Sequence, residues 1–150
     1  MNYYYYKNVT LPKVINTTFS NDSDSISFDL TSVYPVPSLI SLIRTNVYQR
    51  TPGNESVVVQ DNVEFRSLTT YAFGIPSKNG TWTEISVTPT MLIGMFTVDS
   101  TSVNVRIDTI NPFTYTAVTK TLNKLTYTRL GVTMISPILN DTIKVTYTYT

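Results

Sequence analysis

Alternation of apolar and polar side chains is the feature that most constrains the fold of this chain. In SISFDL, Ile26, Phe28 and Leu30 share one parity, while serines and an aspartate take the other. SVNVRIDTI repeats the pattern, and TIKVTYTYT carries it to residue 150. Because successive side chains of a β-strand point to opposite faces, each segment is typical of a strand with one buried face.

The composition favours strands along the whole chain. Its 150 residues include 26 Thr, 16 Val, 12 Ile and 11 Tyr, but only 2 Ala and 3 Glu, so the best helix formers are scarce. Further strands are predicted at 57–60, 63–68, 70–75, 81–88, 91–98, 113–121 and 125–130. The chain is long enough to bury one sizeable core, although it has no Cys for a disulfide.

Turn signals separate the predicted strands. Asn79-Gly80 predicts a hairpin, and Asp61-Asn62 predicts a second one. PSLISLIRTNVYQR also matches helical spacing, with Ser38 as a candidate N-cap, but the surrounding sequence favours a strand. The sequence therefore predicts one all-β domain over residues 1–150, an antiparallel β-sandwich of about 8–10 strands, jelly-roll or immunoglobulin-like.

Reactive side chains are few. With no His and no Cys, the chain lacks the commonest general base, the commonest metal ligand and the strongest nucleophile. The close carboxylates are Asp22 with Asp24 and Asp61 with Glu64, and neighbours on one turn do not face each other across a cleft as glycosidase residues must. We therefore expect no enzymatic activity and no cofactor.

The charge pattern bears on partners. The net charge is +1, and the eleven Lys and Arg are scattered singly, so we expect no nucleic-acid partner. The longest apolar run, MLIGMFTV, is far shorter than the ~20 residues of a spanning helix, so we expect no membrane insertion. The first residues do not show the basic and apolar regions of a secretory signal.

Two candidate binding sites are visible. In NDSDS, Asp22 and Asp24 could offer oxygen ligands to Ca²⁺, although a solvated turn is the commoner structure for such a sequence. Trp82 could stack on a sugar ring, or it could anchor the core of the sandwich.

Six N-x-S/T triplets make glycosylation a further possibility. They are a mild excess over the roughly three that the Asn, Ser and Thr content predicts by chance. The triplets begin at Asn8, Asn16, Asn21, Asn54, Asn79 and Asn140.

The run of four tyrosines near the N-terminus places two rings on each face of a strand. An edge strand that is aromatic on both faces would invite aggregation, so we expect it to be covered. Either the rest of the chain and solvent suffice, or residues 1–10 form an arm that packs on, or adds a strand to, an adjacent copy. MLIGMF is also apolar on both parities. The candidate oligomer interface comprises Tyr3, Tyr4, Tyr5, Tyr6, Met91, Ile93, Met95 and Phe96.

The chain is dense in Thr, Tyr, Asn and Val, and its strand-like segments include MNYYYYKN, SISFDL, SVNVRIDTI and DTIKVTYTYT. It resembles the β-sandwich proteins on the surfaces of tailed phages and of viruses of thermophilic archaea: decoration, turret, head-fibre and minor capsid proteins. The resemblance implies a structural protein on the virion surface, or otherwise extracellular, whose partners are its own copies and other virion proteins. The alternative is a carbohydrate-binding or adhesive module that binds host-surface glycans through Trp82 and surface tyrosines.

Overall fold

Residues 10–149 are described by a computed structural model, and they contain eleven strands and one short 3-10 helix, Thr31–Val33. The strands are β1 (Lys13–Phe19), β2 (Ser23–Asp29), β3 (Leu39–Gln49), β4 (Ser56–Thr69), β5 (Ala72–Lys78), β6 (Thr81–Thr88), β7 (Met91–Val98), β8 (Thr101–Asp108), β9 (Phe113–Leu122), β10 (Leu125–Met134) and β11 (Ile138–Tyr149).

The strands form two antiparallel sheets of unequal size. The large sheet has eight strands in the order β1-β2-β3-β4-β11-β8-β7-β6, and the small sheet has three, β5-β10-β9. This confirms the predicted all-β sandwich, with one strand more than the upper estimate. The ambiguous segment after Ser38 is strand β3, paired with β2 and β4. Its buried Leu39 and Leu42 are three residues apart, which imitates helical spacing, because the register with β4 shifts between Leu39 and Ser41.

The core lies where the small sheet covers the large one. Val105 and Ile107 of β8 and Leu92 of β7 are fully buried opposite Leu130 and Val132 of β10. The parity predicted for SVNVRIDTI is therefore confirmed, since its buried residues share one face. Burying five such aliphatic side chains contributes roughly 1.5–3 kcal/mol each.

Both predicted hairpins are wrong. Asn79 does have a positive φ of 55°, but its turn joins β5 in the small sheet to β6 in the large sheet. Its amide donates to the carbonyl of Thr126 on β10, so the turn is held by the small sheet rather than by a paired neighbour. Asp61 and Asn62 lie inside the continuous strand β4, where Arg44 of β3 pairs with the carboxylate of Asp61.

Two further features depart from the sequence pattern. Pro76, which follows the predicted strand 70–75, is inside β5, which is an edge strand and can accommodate a residue without an N–H. Strand β1 was not predicted, because its register shifts between Val14 and Asn16 and this irregularity interrupts the alternation.

The small sheet covers only part of the large one. At one side, Tyr115 of β9 lies against Trp82 of β6. At the other side, β5 ends the small sheet above the inner faces of β4 and β11, and the inner faces of β1, β2 and β3 extend beyond it. This mismatch between the two sheets creates an open cleft.

Candidate functional site

The inter-sheet cleft lies between the edge strand β5 and the inner faces of β3, β4 and β11. It consists of two adjoining cavities of about 460 and 490 Å³, which share Arg44, Asp61, Phe73 and Gly74. The remaining lining is mainly apolar and aromatic, and includes Tyr34, Tyr71, Val59, Val145 and Tyr147. A cleft of this size and lining is typical of a binding site, with few polar groups to orient its occupant.

An ion pair lies at the junction of the two cavities. Nε of Arg44 donates to Oδ1 of Asp61 at 2.7 Å, and Nη2 donates to Oδ2 at 2.6 Å. The hydrogen bonds that Arg44 donates to the Asp61 carboxylate raise the pKa of Arg44. The Asp61 side chain is only 11% exposed, whereas that of Arg44 is 39% exposed. Because guanidinium carries five N–H groups, Arg44 keeps donors for a ligand while it neutralises Asp61.

Two phenols of the cleft are difficult to ionise. Burial raises the pKa of Tyr71 to about 12, and burial also raises that of Tyr147. The ring of Tyr71 lies 6.0 Å from that of Phe65 and 6.4 Å from that of Phe73, centre to centre. These two tyrosines therefore present apolar rings with neutral hydroxyl groups to the cleft.

Trp82 packs against the core and is partly buried. Its ring centre lies 5.0 Å from that of Phe96 and 6.4 Å from that of Tyr115, and the ring covers Gly94 so closely that a Cβ there would fall 2.3 Å from it. Its Nε1 is buried without a hydrogen-bond partner in the described part of the chain. The ring is thus partly buried against the core, which favours the core anchor over the predicted sugar platform at Trp82.

At the candidate calcium site of Asp22 and Asp24, one carboxylate is already paired with an arginine. The carboxylate of Asp24 is bound by the guanidinium of Arg50, whose hydrogen bond lowers the pKa of Asp24. Asp22 is exposed in the bend before β2. Residues 10–149 contain no group of three or more acidic side chains that could hold a metal ion. The positive charge beside Asp24 is therefore that of the Arg50 guanidinium.

The predicted interface residues divide into three sets. Tyr3, Tyr4, Tyr5 and Tyr6 lie outside the described residues. Met91, Ile93 and Met95 are half-buried on the outer face of the large sheet, whereas Phe96 is 6% exposed and belongs to the core. Phe96 is therefore removed from the candidate interface, because odd and even residues of β7 face opposite ways.

The glycosylation triplets are accessible where the structure describes them. Asn8 lies outside the described residues, and the exposed asparagines are Asn16, Asn21, Asn54, Asn79 and Asn140.

One aromatic surface was missed by sequence reasoning. Phe19, Asp24 and Tyr48 are register partners on β1, β2 and β3, so they share the inner face of the large sheet beyond the cleft. Phe19 is 78% exposed and Tyr48 is 52% exposed, and the Arg50 guanidinium lies 5.9 Å from the centre of the Tyr48 ring. Recognition of β1 as a strand would have been needed to predict it.

No helix within residues 10–149 has the length and hydropathy needed to cross a membrane.

Comparison with known proteins supports the fold but no family. No protein-family model matches the sequence, and no curated protein matches it significantly. Among solved structures, the chain is similar to a heparan sulfate lyase HepC mutant from Pedobacter heparinus, with a TM-score of 0.52 and 12% identity over 92% of this chain. The match spans 22% of that protein, so this chain corresponds to a small part of its length. At this identity the likeness concerns the β-rich fold alone.

Proposed function

We propose that this protein is a non-enzymatic structural protein that assembles with its own copies into a homo-oligomer or lattice. Its place, in this proposal, is the surface of a virion, as a capsid, turret or decoration component, or otherwise outside the cell. Other virion structural proteins would be its further partners. The resemblance in sequence character motivates the virion assignment, and the open edges of both sheets support self-assembly.

The observation that carries the proposal is the open, apolar edge of the large sheet. All seven residues of β1 are exposed, and within residues 10–149 the strand pairs only with β2. Val14, Ile15 and Phe19 are 50%, 47% and 78% exposed, and Lys13 is the strand's one charged residue. Monomeric proteins protect such edges with charges or coverage, so this edge is suited to a contact with another chain.

Sedimentation velocity of the full chain over a wide concentration range tests the proposal, with negative-stain images of the same samples. We expect discrete oligomers that grow with concentration, and rings or a lattice in the images. An Ile15→Lys variant should shift the distribution toward monomer, because a charge at the contact costs desolvation energy. Thr17→Lys, on the same exposed strand, tests whether a lysine at any position of β1 is sufficient to shift the distribution toward monomer. A monomer at every concentration would contradict the proposal.

A second candidate function is carbohydrate binding, and the exposed row of Phe19, Asp24 and Tyr48 favours it. Aromatic rings beside an ion pair combine a stacking surface with charged hydrogen-bonding groups. Host-surface glycans would be the ligands. On a glycan array, Tyr48→Ala should lose binding with an unchanged melting temperature, whereas Tyr149→Ala should retain it. No glycan bound by the wild type would exclude this function.

A further inference from the structure

The small sheet has an open edge of its own beside the inter-sheet cleft. Among the strands formed by residues 10–149, β5 pairs with β10 alone. Pro76 has no N–H, and a proline in an edge strand places its nitrogen on the open side. Backbone groups of every second residue point to the same side, so those of Gly74 and Lys78 also lie on the open edge of β5. Their backbone groups are available to a further strand.

Within residues 10–149, no segment covers the floor of the cleft below this edge. Val59 of β4 and Tyr147 of β11 are half-buried, although their faces point toward the interior of the sandwich. A strand added beside β5 would lie over β4 and β3, because neighbouring strands are about 4.8 Å apart and packed sheets about 10 Å apart. It would fill the cleft and cover these side chains.

We propose that residues 1–9 of a second copy of this chain bind as a fourth strand beside β5 in the inter-sheet cleft. This inference rests on the proposed assembly and names its acceptor site. The donated strand gives backbone hydrogen bonds to β5, and alternate tyrosines enter the cleft.

The length and chemistry of residues 1–9 match the acceptor. Nine extended residues span about 30 Å, and the seven residues of β5 span about 23 Å. Because successive side chains of a strand point to opposite faces, one pair of tyrosines of the added strand would enter the two adjoining cavities, either Tyr3 with Tyr5 or Tyr4 with Tyr6. Their hydroxyl groups can accept hydrogen bonds from the N–H groups that Arg44 does not use for Asp61.

The position of β1 favours a second copy as the donor. Lys13 pairs with Asp29, and the chain continues from Asp29 into the connection over residues 30–38. Tyr34 and Val36 of this connection line the near end of the cleft. The connection therefore occupies the near end of the chain's own cleft, on the side where β1 begins, and this favours a neighbouring copy as the donor.

Cross-linking of the full chain tests this arrangement, and the absence of native Cys makes it specific. Tyr4→Cys and Tyr5→Cys are each combined with Val59→Cys on the cleft floor, and treated with a bismaleimide about 10 Å long, which matches the spacing of packed sheets. The control pairs carry Val58→Cys, the next residue on β4, which faces the outer side. We expect dimers and higher ladders with Val59→Cys, several-fold more for one tyrosine parity than for the other, and few with Val58→Cys.

Four outcomes overturn the inference. A cross-linked monomer would mean that residues 1–9 bind to their own chain. Equal cross-linking yields for Val59→Cys and Val58→Cys would mean that these residues have no specific binding site in the cleft. Absence of cross-links would refute the donated strand, yet concentration-dependent oligomers in sedimentation would leave the proposed assembly standing. A monomer at every concentration would overturn both.

A charge on the cleft floor provides an independent measurement. Val59→Arg should weaken self-association at least about tenfold, or about 1.4 kcal/mol, because a buried unpaired charge opposes the added strand. Val58→Arg should change it by less than about threefold. Melting curves establish that both variants are folded, and if Val59→Arg is not, the cross-linking result decides. Equal weakening by the two variants would contradict the inference.

Discussion

Asp141 illustrates at the residue scale how a buried carboxylate fixes a connection. It is 2% exposed, and its oxygens accept hydrogen bonds from the amides of Ile110 and Asn111 at 2.8 and 3.1 Å and from Nδ2 of Asn111 at 2.9 Å. The side chain thereby holds the connection between β8 and β9 against β11. It is a structural group rather than a candidate for catalysis.

Replacing Asp141 should destabilise the fold. Asp141→Asn keeps the shape but exchanges one accepting oxygen for an amide that meets N–H donors, so we expect a loss of about 2–3 kcal/mol. The melting temperature should fall by about 4–12 °C in a domain of this size. Asp99→Asn, at an exposed turn, is the matched control. Equal melting temperatures for the two variants would refute the structural role of Asp141.

Tyr71 provides a pH dependence whose sign follows from burial. Its pKa is raised to about 12 in the folded protein, while an unfolded tyrosine titrates near 10. The contribution to stability is therefore complete below about pH 10 and is lost as the pH rises toward 12. We expect the free energy of unfolding, measured in urea from pH 9 to pH 12, to fall by about 2 kcal/mol less in Tyr71→Phe than in the wild type. Tyr149→Phe, which removes the hydroxyl group of an exposed ring, is the matched control variant.

At the element scale, the pairing of β3 with β4 depends on Arg44 and Asp61. The two residues are direct register partners, so their ion pair fixes the relative position of two central strands. Arg44→Met leaves a largely buried carboxylate without its cation, and we expect a loss of about 2–3 kcal/mol, reduced from the fully buried value because Arg44 is partly exposed.

The double variant Arg44→Met with Asp61→Leu tests this interpretation by urea unfolding. It should recover most of the lost stability, because neither charge then remains buried without a partner. A double variant as unstable as the sum of two single losses would indicate that the ion pair does not act as a unit.

The strands themselves show what sequence reasoning can resolve. Segments with clean alternation, such as those of β2, β8 and β11, were predicted from their residues, because the period of two is a local property. The Asp61-Asn62 turn was mispredicted because a polar pair inside a strand is satisfied by an arginine 17 residues away in sequence. Asn79 has turn geometry, but turn geometry alone does not decide which sheet the next strand joins.

At the scale of the whole molecule, stability should be uneven across the large sheet. The small sheet covers β8 and β7, whereas β1 is exposed along its length. In native-state hydrogen exchange we expect the amides of Val105 and Ile107 to exchange only through global unfolding, and those of Val14 to Phe19 to exchange much faster. If assembly uses the β1 edge, protection of β1 should increase with protein concentration. Uniform protection at low concentration would contradict the unequal coverage.

The sequence by itself determined the all-β class, the buried parity of the regular strands and the scarcity of reactive groups, because these depend on local alternation and on composition. The tertiary structure alone decided that Trp82 packs against Phe96 and Tyr115, that Arg50 pairs with Asp24, and that Arg44 and Asp61 meet in an open cleft. These features arise from contacts between strands distant in sequence and from the mismatch of eight strands against three. No local pattern encodes which part of a sheet is left uncovered.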